Sequence, residues 1–216
     1  MKNIKKYFVL SASFLSAFLV LTLAVLFVDV QKIGPEGSKI GLASVNQAVN
    51  ELFGSSAFWY DVTKIFGYLA MATACVFALV GLYQLITRKS LKKIDGDLYA
   101  LAGLYALTLA AYVLFELVVV NYRPVLMEGA LEASFPSSHT MLTVCFLSGA
   151  VWQIRKRVKN NALRVALETL CVAVITLTVS GRLLSGVHWF TDIVAGVLLG
   201  LAIVFLYVAV AKKIEK

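Results

Sequence analysis

Charge is scarce in this sequence. Asp, Glu, Lys and Arg make up 15% of its 216 residues and 60% are hydrophobic, whereas a soluble domain is nearer a quarter charged and half apolar. That balance excludes a soluble globular protein. A helix needs about 20 apolar residues to cross a bilayer, so six crossings consume most of the chain and leave no room for a second globular domain; residues 1–216 read as one membrane domain. Proline is equally rare, at three residues, and no low-complexity tract occurs, which excludes a disordered chain. The three cysteines, Cys75, Cys145 and Cys171, fall inside apolar stretches with no C-x-x-C spacing. They suggest neither a disulfide framework nor a zinc site and read as small buried hydrophobes. No cofactor, metal or obligate protein partner is implied. The net charge of +8 would suggest nucleic acid if the cations shared a polar surface. Here they sit in short runs between apolar stretches, a placement that reports orientation in a lipid bilayer instead.

Six apolar segments are expected to span: Tyr7 to Val28, Val62 to Ile86, Leu98 to Val120, His139 to Ile154, Val165 to Val179 and Phe190 to Ala211. The first follows Lys2, Lys5 and Lys6 as a signal peptide would. Its apolar run is too long for one and no Ala-x-Ala site follows, so it reads as a retained helix. Fifteen of the 20 lysines and arginines fall at the N-terminus, in the second and fourth loops and at the C-terminus. Basic excess marks the cytoplasmic side, so both termini are expected inside, with Lys32, Lys39, Lys64, Arg123 and Arg182 on the outer face. Phe58, Trp59, Tyr60, Tyr122 and Trp189 fall at outer helix ends and Trp152 at an inner one, as interfacial aromatics do. The first outer loop, 31–61, opens with Gly34, Pro35 and Gly37. Val45, Val49, Leu52 and Phe53 then recur at helical spacing, which predicts a short helix lying on the outer surface.

Polar residues converge in the second and third outer loops, which hold both histidines and the two arginines Arg123 and Arg182. Asp192 follows His188 by four residues, a spacing that places both on one helical face within hydrogen-bonding reach. Alone, such a pair could equally satisfy two polar groups near the membrane or fix the imidazole tautomer and free a lone pair for attack. Pro136, Ser137 and Ser138 ahead of an apolar run form a helix start, with serine as the cap and free N–H groups suited to an anion. His139 lies in its first turn and could exchange a proton with a leaving oxygen; alone, Ser-Ser-His is also an ordinary cap. The two guanidiniums suit phosphoryl oxygens. Together these groups describe a phosphoryl-transfer site that calls on no metal.

Asn121-Tyr122-Arg123-Pro124, Phe135-Pro136-Ser137-Ser138-His139 and Gly181-Arg182-x5-His188-x3-Asp192 resemble the type 2 phosphatidic acid phosphatase (PAP2) family, which includes vanadium haloperoxidases. Its pattern is K-x6-R-P, P-S-G-H and S-R-x5-H-x3-D. The resemblance covers 116–192 through motifs and the first two spans through hydrophobic layout alone. It implies an all-α membrane bundle of six transmembrane helices. By position it makes His188 the nucleophile that forms a phosphohistidine, Asp192 its orienting partner and His139 the acid for the leaving oxygen. Arg123, Arg182, Ser137 and Ser138 would hold the phosphate. Three positions depart from the pattern: Ser138 replaces glycine, Gly181 replaces serine, and Glu116 replaces lysine. A carboxylate repels phosphate unless protonated or paired, so Glu116 is expected to pair with Arg123 or Arg182, leaving a third cationic contact to Lys64, Lys32, Lys39 or to nothing.

The resemblance implies a lipid phosphatase in the plasma membrane, acting at the outer leaflet on a phosphomonoester or pyrophosphate such as phosphatidic acid, phosphatidylglycerol phosphate or a polyprenyl pyrophosphate. One alternative passes the phosphoryl group to another lipid or sugar. Another is a lipid-headgroup transporter or binding protein without hydrolysis. Against the latter stand the His-x3-Asp pair, the lack of mid-membrane polar residues and the absence of a visible internal repeat.

Overall fold

A computed structural model describes residues 2–214. Lys216, counted above among the C-terminal cations, and the side chain of Lys2 lie outside the described residues. The described residues form seven α-helices: α1 Lys2–Phe27, α2 Ala43–Phe53, α3 Ala57–Arg88, α4 Gly96–Leu117, α5 Ser138–Arg157, α6 Asn161–Leu184 and α7 Phe190–Ile214. No strand is found among the described residues beyond isolated bridges. The all-α reading holds, and α2 occupies the place of the expected surface helix.

Five helices, α1, α3, α4, α6 and α7, are long and apolar enough to cross a membrane. The sixth expected crossing, α5, has 20 residues, about 30 Å and so about one hydrocarbon core. It carries Thr140, Thr143, Gln153 and three terminal cations, and falls short in apolarity. The physical reason is its position. α5 packs against α3, α4, α6 and α7, so most of it faces protein rather than lipid and its polar groups can be satisfied inside. Cys145 and Cys171 are buried as expected; Cys75 is exposed, contrary to that expectation.

The close approach of α5 and α7 fixes one end of the bundle. A side chain at Gly196 would lie 2.8 Å from the Ser137 carbonyl oxygen and 3.0 Å from Thr140 Cβ. Only hydrogen lets the two backbones meet there, as small residues do between membrane helices. Phe18, Phe115 and Phe135 pack ring to ring at 5.7–6.2 Å between centroids and support the chain as it enters Pro136 through a cis peptide.

The opposite end holds the basic loops. There the buried Asp97 carboxylate accepts from Arg157 at 2.7 Å and Lys156 at 2.8 Å, and Lys212 lies over the rings of Tyr7 and Trp152. The two ends are thus chemically distinct. Trp189 is a correction to the anchoring assignment: it is buried, and its indole N–H donates to the Tyr122 carbonyl at 2.7 Å.

Candidate active site

Three connections build the site. After α4 the chain folds into a short hairpin in which Tyr122 faces Ala133 and Met127 faces Ala130; Glu128 and Gly129 take positive φ at its tip. This hairpin presents Arg123. Between α6 and α7 a tight turn through Gly186, φ +67, delivers His188 just ahead of Phe190, where α7 begins. The third connection is the Pro136 entry into α5, which brings in Ser138 and His139.

His188 is 3% exposed. Its Nδ1 lies 3.2 Å from the Ser134 carbonyl oxygen. A carbonyl can only accept, so the ring carries its proton on Nδ1 and keeps a lone pair on Nε2. Nε2 lies 3.3 Å from Arg123 Nη1, which donates to it. Arg123 Nη1 also reaches the Val187 carbonyl at 3.4 Å, and its Nε lies 3.1 Å from Glu132. Burial first, then the charges of Arg123, Arg182 and His139, hold the His188 imidazole well below the usual histidine range. The neutral form of the ring is therefore favoured.

Asp192 departs from its expected geometry. Its Oδ2 stands 3.8 Å from His188 Nδ1, beyond a hydrogen bond, and accepts the Trp189 N–H at 2.9 Å. The four-residue spacing misleads because His188 precedes the helix. Ser134 therefore sets the tautomer, while the Asp192 carboxylate accepts the Trp189 N–H at the start of α7. Ser137 also departs. Its side chain caps no N–H; its hydroxyl accepts from Thr140 at 3.1 Å, and its own N–H donates to the Asp192 carbonyl at 2.9 Å. Met141 N–H is the first on α5 to find a helical acceptor, the Ser137 carbonyl at 3.0 Å.

Arg182 is 1% exposed. Its Nε and Nη1 have no hydrogen-bond partner, and its guanidinium lies 5.5 Å from the centre of the Tyr60 ring. A buried charge left without a counter-charge is strongly unfavourable, and an anion is what such a group suits. His139 has Arg182, Arg123 and Lys64 as charged neighbours, and its Nδ1 is buried without a partner. Its ring leans on α3 at Gly67, where a Cβ would come within 3.0 Å of His139 Cδ2 and 3.5 Å of Nε2. The two arginines and two histidines thus gather at one end of the bundle.

Two hollows open here. A narrow one is lined by His188, Ser134, Phe135, Ser138 and Glu116. A larger one of about 350 Å³ lies between α3, α4 and α5, and includes Tyr60, Lys64, His139 and Ser138. Ser138 borders both. The expected pairing of Glu116 with an arginine does not form: Glu116 is exposed, has no ion pair among the described residues, and Arg123 pairs with Glu132 instead. Seven residues of helical spacing would align the pair, but α4 ends at Leu117 and Arg123 lies in the hairpin beyond it. Lys64 faces the larger hollow.

Sequence reasoning missed Asn46, Ser134 and Glu132, and gave Asn121 no role beyond its place in a motif. Asn46 on α2 is fully buried and donates to the Gly41 carbonyl at 2.9 Å and the Thr191 hydroxyl at 3.0 Å. Its Oδ1 accepts the Thr191 N–H at 3.1 Å, fastening α2 to the residue beside Asp192. Asn121 accepts the Gly41 N–H at 3.2 Å. Asn46 shares its amphipathic helix with Asn50, so the sequence did not single it out, and nothing in the sequence pointed to a carbonyl of Ser134.

The PAP2 resemblance holds over the part of the chain that carries the motifs: residues 119–216 match the family model described as PAP2 superfamily. That stretch begins after Glu116. Over 93 residues the chain is 31% identical to lipid phosphate phosphatase delta of Arabidopsis thaliana, covering 41% of this chain and 22% of the relative. The chain thus spans about a fifth of that protein's length. Its fold is similar to the crystal structure of a transmembrane PAP2 type phosphatidylglycerolphosphate phosphatase from Bacillus subtilis, with a TM-score of 0.68 over 94% of this chain and 96% of that one, at 18% identity. The chain is an integral membrane protein with a PAP2 fold.

Proposed function

We propose that this protein is a PAP2-type phosphatase that hydrolyses a lipid phosphomonoester or pyrophosphate through a phosphohistidine on His188. In this reading α5 is the sixth crossing, both termini lie in the cytoplasm and the site opens on the outer face. The observation that carries the reaction is the lone pair on His188 Nε2, 3.3 Å from the Arg123 guanidinium, with the buried, unpartnered nitrogens of Arg182 among the charges that bear on the ring.

Phosphate oxygens draw both guanidiniums off their present neighbours and onto the phosphoryl group, uncovering Nε2 for in-line attack. A bond forms from Nε2 to phosphorus as the bond from phosphorus to the leaving oxygen breaks. The leaving oxygen takes the electron pair and a proton from His139. Water then attacks phosphorus and gives a proton to His139, and the electron pair of the N–P bond returns to Nε2. Arg123, Arg182 and the unpaired N–H groups at the start of α5 offset charge on the equatorial oxygens. The two histidines and two guanidiniums supply nucleophile, acid and charge, so the proposed reaction is metal-independent. The apolar tail stays in lipid while the headgroup enters from the membrane boundary.

The test is phosphate release by purified protein in EDTA from phosphatidic acid, phosphatidylglycerol phosphate and a polyprenyl pyrophosphate, with His188→Ala in parallel. Release by the wild type and not the variant is expected, with acid-labile labelled phosphate trapped on the protein. Undiminished release by His188→Ala would refute the mechanism.

A further inference from the structure

Tyr60, Lys64, Gly67 and Met71 recur at spacings of four, three and four along α3 and line the 350 Å³ hollow together. That is one face of a helix. α3 is 32 residues long, about 48 Å against a hydrocarbon core of about 30 Å, so its N-terminal turns can stand at headgroup level. Across the hollow stands His139, with Gly67 giving its ring room. Lys64 is an exposed cation with no ion pair among the described residues, set in a lining that is otherwise largely apolar. A strongly hydrated ammonium in such a place calls for an anion.

Which anion follows from the side of the site on which Lys64 sits. It borders the hollow of the proposed leaving-group acid, His139, and is not part of the hollow that His188 lines. Arg123 and Arg182 bear on both histidines, whereas Lys64 is among the cations that bear on His139 and not among those that bear on His188. The phosphoryl group attacked by His188 is therefore served by the arginines, and Lys64 serves what departs. When phosphatidic acid is cleaved the departing group is a neutral diacylglycerol. When a lipid pyrophosphate is cleaved, the departing group keeps a phosphate of its own beside the bond that breaks.

We propose that Lys64 binds the second phosphate, the one retained on the leaving group, and so biases the site toward lipid pyrophosphates over lipid monophosphates. This rests on the phosphatase reading above and narrows its substrate class. Tyr60 separates the two positions: it lines the leaving-group hollow while Arg182 lies over its ring. Lys64 thereby takes up a role different from that of the family lysine whose position Glu116 holds.

The experiment uses the full chain in detergent with farnesyl pyrophosphate and a short-chain phosphatidic acid. Lys64→Gln should lower kcat/KM for the pyrophosphate about tenfold more than for phosphatidic acid, as expected for one charge-assisted contact, mainly through KM. Lys64→Arg should recover most of the ratio. Equal losses on both lipids, or an unchanged ratio, would overturn the assignment. If the wild type releases phosphate from neither lipid, the phosphatase reading fails, and the assignment is judged by calorimetry instead. Lys64→Gln should then weaken farnesyl pyrophosphate binding about tenfold more than farnesyl monophosphate binding; equal weakening or none would overturn it.

Discussion

Arg123 Nη1 donates to His188 Nε2 across 3.3 Å, so the guanidinium covers the very lone pair that the proposed reaction uses. In that proposed reaction, arriving phosphate would give Arg123 better acceptors than an imidazole nitrogen and so uncover Nε2 as the substrate is gripped. Arg123→Gln should cut kcat/KM for lipid phosphate about 10²- to 10³-fold, as for loss of one transition-state donor. Steady-state phosphate release measures it, and a change under twofold would remove Arg123 from the site.

The burial of His188 and the cations beside it hold its imidazole well below the usual histidine range. With two histidines in the chain, nitrogen NMR of a His139→Gln variant reports His188 alone. The ring should remain neutral, protonated on Nδ1, from pH 8 down through the ordinary histidine value of about 6.5. Its folded pKa is depressed, so the unfolded state binds the extra proton below that ordinary value. The stability tied to this group is thus present above about pH 6.5 and is lost as pH falls. Titration at or above the ordinary value would contradict the geometry.

His139 leans on α3 where a Cβ at Gly67 would press to 3.0 Å from its ring. Gly67→Ala should turn the imidazole away from the leaving oxygen and lower kcat about tenfold, since small misplacements are costly in catalysis. The melting temperature should change little. Unaltered turnover would mean that the ring has freedom the packing does not suggest.

Asn46 ties α2 to the first turn of α7 through Thr191. Asn46→Ala leaves the Gly41 carbonyl and the Thr191 N–H buried without this partner, at a cost of about 1–3 kcal/mol. Thermal unfolding in detergent should fall by several degrees, and turnover should fall with it because Asp192 is the next residue. Stability and turnover equal to wild type would make the clasp ornamental.

Glu116 lines the same hollow as His188 and has no ion pair among the described residues. It faces incoming phosphate with a like charge. Glu116→Gln should lower KM severalfold and Glu116→Lys further, read from initial rates against lipid phosphate concentration. A rise in KM for both would mean that the carboxylate helps to bind substrate.

Much of this protein was legible before folding. Runs of apolar residues of bilayer length, basic runs in alternate loops and the spacing of Arg182, His188 and Asp192 bring the long helices, their ends and the site residues into view, because each is a local property of the chain. Only the tertiary structure decided which polar atom meets which. Ser134 rather than Asp192 holds the His188 ring, since the turn at Gly186 keeps His188 off the helix and breaks the four-residue geometry. Arg123 meets Glu132 rather than Glu116, since α4 ends at Leu117 before helical register can align them. α5 is shielded by its neighbours and so carries less apolar character than a lipid-facing helix. Periodicity governs a residue's neighbours along one helix; contacts across turns and between helices depend on where the backbone stops being helical, and the whole packed bundle sets that.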